Sequence, residues 1–439
     1  MGRKRKLPAD PFPVQIEALA ENGRGRAQHE GRTLEVFDAL AGEQVNARYL
    51  FGRRFRGQAQ MVDVIEPSPE RVNPECAYFG TCSACSLQHL SADGQIRHKQ
   101  DSLLACFDQH GLAPARLLSP LQSTQWHYRR KARLSVRKVK GKGRVLVGFR
   151  ERDSRFVTDM TTCHVLPEAV SRRIPDLCGL IETMDAADQI PQIEVTCGDE
   201  ACALVLRHLV PLTDEDTERL RHFARSQGLM MMTQGGGPDS VRPIEQESAD
   251  LSYRLEAYGI EYRFGPLDFI QVHAGLNQLM IAQAIELLDL GAGDNVLELF
   301  CGLGNFSLPL ARHCASVTAI EGDSDLVSRA TSNAQLNGVE NVRFMQADLY
   351  QPSVLEGIPV EHFDRVLLDP PRSGAGPVLQ AISDSGAMRV VYVSCNPETL
   401  AEDARSLVRQ HGFSLVATGV MDMFPHTAHV ESMALFTRE

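Results

Sequence analysis

The sequence predicts an α/β and β chain with three domains: a small N-terminal barrel, a mixed α+β central domain, and a C-terminal domain built on a doubly wound sheet. Three observations carry this. Residues 12–66 alternate short apolar and polar groups with frequent glycine, the texture of a small antiparallel barrel. After Pro266 strand-like and helix-like patterns take turns, the rhythm of βαβ units in a parallel sheet. Inside this C-terminal domain a pair of apolar runs, Arg365-Val366-Leu367-Leu368 and Val390-Val391-Tyr392-Val393, each pass through polar residues into proline. They read as adjacent parallel strands whose carboxyl ends open on one crevice, where open α/β sheets hold their ligands.

A chain of 439 residues is long enough for two or three domains with separate cores. Hydrophobic content of 43% and charged content of 23% are ordinary for a globular protein. No apolar stretch approaches membrane-spanning length. The basic start Met1-Gly2-Arg3-Lys4-Arg5-Lys6 leads to Pro8 and Pro11, not to the apolar core of a signal peptide, so a cytoplasmic protein without a membrane partner is expected. Lys6 also stands where myristoylation of Gly2 needs Ser or Thr. Eleven cysteines in such a chain point to metal or thiol chemistry and away from a disulfide framework.

The net charge of −11 argues against nucleic acid only globally. Residues 125–155 hold twelve Lys or Arg against two acids, interleaved with Trp126, His127, Tyr128 and Phe149. Residues 1–60 hold eleven basic and seven acidic side chains, including Arg53-Arg54-Phe55-Arg56. One such run is explained by a solvated hairpin; two separate runs favour RNA.

In chain order, the barrel occupies 12–67 and is closed by Pro67 and Pro69. Residues 68–86 form a cysteine-bearing loop at the head of a central domain, 68–265. A helix over 93–110 follows, with Ile96, Leu103, Leu104 and Phe107 near helical spacing and a stop at Gly111; residues 93–125 are free to pack on the third domain. Alternating segments such as Ala132-Arg133-Leu134-Ser135-Val136, Ile193-Glu194-Val195 and Leu204-Val205-Leu206 predict strands, with helices near 167–184 and 213–227. Gly235-Gly236-Gly237-Pro238 is a flexible turn, too bare of Lys, Ser and Thr for a phosphate loop. The third domain, 266–439, has strands at 296–300, 317–321, 342–344, 365–368 and 390–393 and a helix over 326–337.

The first strand of that domain delivers Glu298-Leu299-Phe300-Cys301-Gly302-Leu303-Gly304-Asn305-Phe306, whose glycines let backbone approach a ligand. The third glycine of a dinucleotide fingerprint is absent. Glu321 ends the second strand, where an acid accepts from ribose hydroxyls, and Asp348 follows the third, where it can face an adenine. Each acid alone reads equally well as a helix cap or loop carboxylate. The ordered set without a pyrophosphate grip favours a nucleoside lacking phosphate, S-adenosylmethionine (SAM). Cys395, delivered to a turn that Pro397 helps to fix, is a candidate nucleophile, since a packing thiol belongs mid-strand.

Cys76-x5-Cys82-x2-Cys85 with the distant Cys163 forms a thiolate set suited to zinc or to an iron–sulfur cluster, and spacing does not choose between them. Cys106, Cys178, Cys197, Cys202, Cys301 and Cys314 lack partner spacing and read as packing.

With these residues in place, the chain resembles the uracil-C5 RNA methyltransferases from residue 12 to its end. Phe269-Ile270-Gln271-Val272 with Asn277, the Gly302/Gly304 loop, Asp369-Pro370-Pro371-Arg372, Ser394-Cys395-Asn396-Pro397 and Pro425-His426-Thr427-Ala428-His429-Val430-Glu431 occur in family order. The resemblance implies that Cys395 is the nucleophile, that Glu431 removes the C5 proton, and that Gln271, Phe300, Asn305, Glu321, Asp348 and Asp369 line the SAM site. It turns the front barrel into an oligonucleotide-binding-type TRAM domain, the third domain into a Rossmann-like methyltransferase domain, and Cys76, Cys82, Cys85 and Cys163 into ligands of a [4Fe–4S] cluster. Within the family, a tRNA uridine-54 enzyme without barrel or cluster motif, and a shorter 23S rRNA enzyme with the cluster but no barrel, differ from this chain. It resembles the branch whose target is uracil-1939 of 23S ribosomal RNA, with no obligate protein partner. The alternatives are another rRNA site or tRNA as substrate, or a non-catalytic RNA-binding or assembly factor.

Overall fold

A computed structural model describes residues 10–50, 56–139, 141, 143–245, 250–351 and 363–438. Of the basic runs, Met1-Gly2-Arg3-Lys4-Arg5-Lys6, Arg53-Arg54-Phe55, Lys140 and Lys142 lie outside the described residues. The chain divides into two compact units, Met1–Ser102 with Phe149–Thr158 and Phe424–His429, and Leu103–Gly148 with Asp159–Met423 and Val430–Glu439.

The first unit holds a closed five-stranded barrel of Phe12–Leu19, Gly25–His29, Arg32–Phe37, Gln44–Tyr49 and Gln58–Glu66. Strict alternation along Phe12–Leu19 sends Phe12, Val14 and Ile16 inward to meet Leu34, Val36, Val45, Ala47 and Ala59, the period-two pattern of a strand with one buried face. One pair departs from the antiparallel expectation: Arg32–Phe37 and Gln58–Glu66 run parallel. The chain crosses the barrel as Gln44–Tyr49 before the last strand closes it, and alternation within single strands carries no trace of that crossing.

Glu43, fully buried before the fourth strand, ties this turn to the loop beyond the barrel. Its carboxylate accepts from Leu40 N at 2.8 Å, Ser68 N at 3.2 Å, Arg71 Nη2 at 2.7 Å, and Arg71 Nε. In the cysteine-bearing loop, Arg152 donates to the carbonyls of Cys85 at 3.0 Å and Cys82 at 3.3 Å, pairs with Asp38, and lies 4.8 Å over the Phe79 ring. The same loop grips Phe424–His429: Ser86 N and Leu87 N both donate to His426 O at 2.9 Å, and Ala428 N donates to Ser86 Oγ at 3.0 Å.

The second unit contains two large sheets. A six-stranded sheet runs Val241–Pro243, Met230–Gln234, Cys202–Arg207, Gln192–Cys197, Lys131–Val139, Arg144–Gly148, with Ile174–Thr183 and Asp214–Gln227 as its helices. Thr213 caps the latter helix by accepting from Asp216 N, and Gly228 ends it in the left-handed region at φ 64°. Cys197 and Cys202 depart from their reading as packing thiols. They stand opposite each other where the third and fourth strands meet in a hairpin, Cα atoms 4.0 Å apart, and form a disulfide. A hairpin that folds residues 198–201 into its turn makes neighbours of two cysteines whose sequence spacing signals nothing.

The eight-stranded sheet runs Val342–Gln346, Ser316–Glu321, Asn295–Leu299, Arg365–Leu368, Arg389–Ser394, Glu431–Thr437, Ser414–Met421, Arg116–Leu117. The first five are parallel; the central Asn295–Leu299, Arg365–Leu368 and Arg389–Ser394 are largely buried apolar runs, whereas the edge strand Val342–Gln346 has no buried residue. Glu431–Thr437 is antiparallel to both its neighbours, so the sheet is mixed. Arg116–Leu117 joins its far edge beside Ser414–Met421. Asp323 caps the helix Ser324–Leu336 by accepting from Asp325 N and Leu326 N, close to the expected 326–337. Among the described residues no helix is long and apolar enough to cross a membrane.

Burial by itself raises the Glu43 carboxyl, but Arg71 and the amides of Leu40 and Ser68 outweigh it and hold it below the ordinary value. A carboxyl lowered by folding stabilises above its unfolded pKa, and that stability is lost as pH falls through the folded value. Glu43→Ala, which strands Arg71, should cost about 3 kcal/mol in urea titrations at pH 7. The gap to the parent should narrow as pH drops below about 4.3.

Candidate active site

The carboxyl ends of the parallel strands surround a cavity of about 510 Å³ within the second unit. Gln271, Phe300, Asn305, Glu321, Asp348, Asp369, Cys395 and Glu431 all line it. Residues spread over 160 positions of sequence thus meet in one place.

Its floor is the loop after Asn295–Leu299. Phe300 sits at φ 63°, a conformation rare for a bulky residue. Gly302 and Gly304 follow at φ 57° and 89°. At Gly304 the positive φ favours glycine, and a Cβ would also sit tightly against Phe344, 3.3 Å from its Cζ. Glu321 is oriented by three backbone amides: Gly302 N at 2.9 Å, Gly322 N at 2.8 Å and Asp323 N at 3.1 Å. A carboxylate with about four acceptor positions keeps room for a hydroxyl donor. Asp348 accepts from Tyr350 N and Gln351 Nε2, each at 3.0 Å.

Asn305 is not a helix cap. Its amide is locked in a reciprocal pair with the buried Asn277, at 2.9 and 2.8 Å, and also accepts from the Tyr253 hydroxyl at 2.9 Å. Its oxygen is committed to two donors, while its amide nitrogen has a second N–H beyond the one given to Asn277. Gln271 Nε2 donates to Asp369 Oδ2 at 3.4 Å.

Cys395 is half-buried at the end of Arg389–Ser394. Asn396, next along, accepts from Glu398 N at 3.2 Å as the cap of helix Pro397–Gln410 and donates to Arg372 O at 3.0 Å. One amide therefore fixes the cysteine turn, the helix start and the Asp369-Pro370-Pro371-Arg372 loop relative to each other. Glu431 opens its antiparallel strand, and Ser432 pairs with Ser394. Cys395 and Glu431 are each one residue beyond that pair. Burial, then Glu431 and Asp369, push the Cys395 thiol up to about 11; Arg372 pulls the other way. Burial, then Glu431, push Asp369 up to about 8. At neutral pH the thiol and the Asp369 carboxyl are protonated in the free cavity.

Sequence reasoning passed over Tyr253 and Tyr350, which also line the cavity. Tyr253 lies in the hairpin Leu251–Leu255 and Ile260–Phe264, ahead of any motif. Tyr350, two residues after Asp348, bonds Ser373 Oγ at 2.7 Å and Gly374 O at 3.0 Å and carried a signal, an aromatic beside the candidate adenine acid. Glu298, quoted only as motif, is a buried carboxyl pushed up to about 8 by burial, with Asp369 and Glu321 adding to it.

The cysteine set stands differently. Cys82, Cys85 and Cys163 are buried and Cys76 is half-buried, and four sulfur donors are chemistry that fits a thiolate centre. Burial raises the Cys82 thiol and Cys76 adds to the effect. Among the described residues, however, no group of three or more His, Cys, Asp or Glu is gathered to hold a metal ion. The spacing expectation is not matched by a formed site, and no chemistry is routed through one.

Residues 91–439 match the family model described as tRNA (uracil-5-)-methyltransferase. The chain belongs to this family. A 23S rRNA (uracil(1939)-C(5))-methyltransferase of Alkalilimnicola ehrlichii is 49% identical, the match covering 100% of this chain and 99% of that protein. The enzyme of that name from Hahella chejuensis is 46% identical over 99% of each. The crystal structure of Pyrococcus abyssi tRNA (uracil-54, C5)-methyltransferase with S-adenosyl-L-homocysteine superposes with a TM-score of 0.75 at 21% identity, covering 97% of this chain and 99% of that one. That coverage corrects one expectation. A tRNA uridine-54 enzyme shares the whole architecture, so a front barrel does not separate the rRNA from the tRNA enzymes. Long-range sequence identity does.

Removing the Glu431 charge should lower the Cys395 thiol. Glu431→Gln should therefore be alkylated several-fold faster than the parent at position 395 by iodoacetamide at pH 8, as read by site-resolved mass spectrometry. An unchanged or slower rate would break the electrostatic link between the two side chains.

Proposed function

We propose that the chain transfers a methyl group from SAM to C5 of uridine 1939 in 23S ribosomal RNA, with Cys395 as nucleophile and Glu431 as the C5 base. The observation that carries this is the placing of Cys395 and Glu431 one step beyond the Ser394–Ser432 pair, on the wall of a cavity whose other side is the glycine loop. The full-length identity to enzymes named for uracil-1939 supports the choice of RNA.

The C5 carbon of uracil is too weakly nucleophilic to attack an alkyl group unaided. The Cys395 thiolate adds to C6, the β-carbon of the ring's enone, and C5 becomes enolate-like. Bound SAM supplies an electrophilic methyl on a sulfonium. Once C5 carries the methyl group, Glu431 takes the C5 proton, the C5–C6 double bond re-forms and the Cys395 sulfur leaves. Because the free thiol is held protonated, its proton must leave to solvent as the sulfur adds to C6: Asp369 is itself protonated in the free cavity, and Glu431 must stay ionised to take the C5 proton. A half-buried sulfur reaches a base only if that base leaves its stack, so the target uridine is swung out.

Gln271, Phe300, Asn305, Glu321, Asp348 and Asp369 make up the proposed SAM site. Glu321 is set for the ribose, and Asp348 beside Tyr350 for the adenine. The proposal includes a [4Fe–4S] cluster held by Cys76, Cys82, Cys85 and Cys163, supported by their sequence spacing and the family resemblance. Methyl transfer needs no electron, so such a cluster would be structural. Zinc is the competing occupant of a thiolate set.

Purified protein incubated with SAM should form 5-methyluridine in unmodified 23S rRNA fragments spanning position 1939, and none in tRNA. Glu431→Gln should slow turnover about 10²–10⁴-fold and, with 5-fluorouridine RNA, the parent should yield a covalent adduct through Cys395 that Cys395→Ala lacks. Methylation surviving Cys395→Ala would end the mechanism. Anaerobically purified protein should contain iron and acid-labile sulfide and absorb near 400 nm, roughly as thiolate-bound clusters do; zinc in their place would refute the cluster.

A further inference from the structure

The basic segment over 125–155 has an unexpected member. Among its described residues most cations are exposed: Arg133 and Arg144, for example, have 69% and 53% exposed side chains and pair with Glu194 and Asp159. Arg130 does not. Its side chain is 6% exposed, and burial lowers even its guanidinium.

The cofactor wall it touches has no regular structure to hold it. Residues 265–272, between the hairpin and the helix Ala274–Leu288, carry Phe269, Ile270 and Gln271 into the cavity. A segment of this kind keeps one conformation only through specific anchors. Arg130 supplies several. Its backbone N donates to Val272 O at 3.0 Å and its Nε to Gln271 O at 2.9 Å. Its guanidinium lies 4.5 Å over the ring of Tyr253, the cavity residue whose hydroxyl holds Asn305. Lys131 extends the line, donating to the carbonyl of Asp268.

The two remaining nitrogens are left over. Nη1 and Nη2 are buried without a hydrogen-bond partner, and the nearest acid, Asp199, is 3.8 Å from Nη1. A buried guanidinium with open donors costs stability, and an apolar side chain of similar volume would often be as good or better for the fold. Retention of arginine here is explained by what the Nε bond and the flat stacking face do for the wall.

We propose that Arg130 is a positioning residue for methyl transfer: from beneath the cofactor wall it fixes Gln271 through its carbonyl and Tyr253 through its ring, and it is not an RNA contact. This rests on the reading of the cavity as the SAM site.

The full-length protein, Arg130→Met, Arg130→Lys and Glu321→Ala are compared for melting temperature, KM for SAM, kcat, and RNA affinity at several salt concentrations. Arg130→Met should melt no lower than the parent, yet raise KM for SAM about tenfold or more, the effect of one lost charged hydrogen bond. Arg130→Lys keeps the charge but not the Nε geometry and should raise KM comparably. RNA affinity and its salt dependence should be unchanged in both, because no phosphate contact is removed. An unaltered KM in both Arg130 variants beside a defective Glu321→Ala overturns the positioning role alone, whether or not the melting temperature falls. A weakened RNA affinity with a shallower salt slope makes Arg130 a phosphate contact and also overturns it. A parental KM in Glu321→Ala removes the cavity reading and this proposal together.

Discussion

Everything chemical in this molecule depends on one strand pairing. Arg389–Ser394 and Glu431–Thr437 run antiparallel with Ser394 opposite Ser432. Parallel strands all end at the same side of a sheet, so their last residues form the crevice; a strand running the other way begins there. An antiparallel insertion therefore lets its first residue, Glu431, face a residue just past the end of its neighbour, Cys395. Because strand side chains alternate, a shift of one residue would send every side chain of the strand to the opposite face. Hydrogen-bond register, a backbone property, fixes the spacing between Cys395 and Glu431, the proposed nucleophile and base.

That pairing concentrates acidity. Glu321, Asp348, Asp369 and Glu431 line the cavity against Arg372, with Glu298 buried nearby and coupled to Asp369 and Glu321. Burial and mutual repulsion push Asp369 and Glu298 into the neutral pH range. An acid-lined, partly dehydrated cavity is well suited to a sulfonium, whose positive charge disappears as the methyl group departs. The same field opposes a free thiolate at Cys395.

Much of this was legible in the residues. The five parallel strands announced themselves as apolar runs ending in polar residues, and all eight proposed SAM-site and catalytic residues converge on one cavity. What escaped was long-range. The antiparallel insertion of Glu431–Thr437 cannot be told from a parallel strand by composition, since both are buried on two faces. Arg130 sits amid arginines that do face water, and sequence assigns all of them one role. Cys197 and Cys202 pair because a hairpin turns between them. Tyr253 reaches the cavity from a hairpin with no motif, through a hydroxyl that finds Asn305 52 positions away. In each case the decisive partner lies in a different element, where local pattern carries no information.

The division of the chain has a practical bearing on gene shortening. Neither unit is a continuous stretch: Phe149–Thr158 and Phe424–His429 fold with the barrel, although both interrupt the sequence of the other unit. No single cut separates them. A fragment starting after Ser102 would retain these two excursions stripped of their partners, among them the carbonyl of His426 that Ser86 and Leu87 now satisfy. Glu431 comes only two residues after that excursion ends at His429, so a shortened gene that drops residues 1–102 would disturb the chain immediately ahead of Glu431.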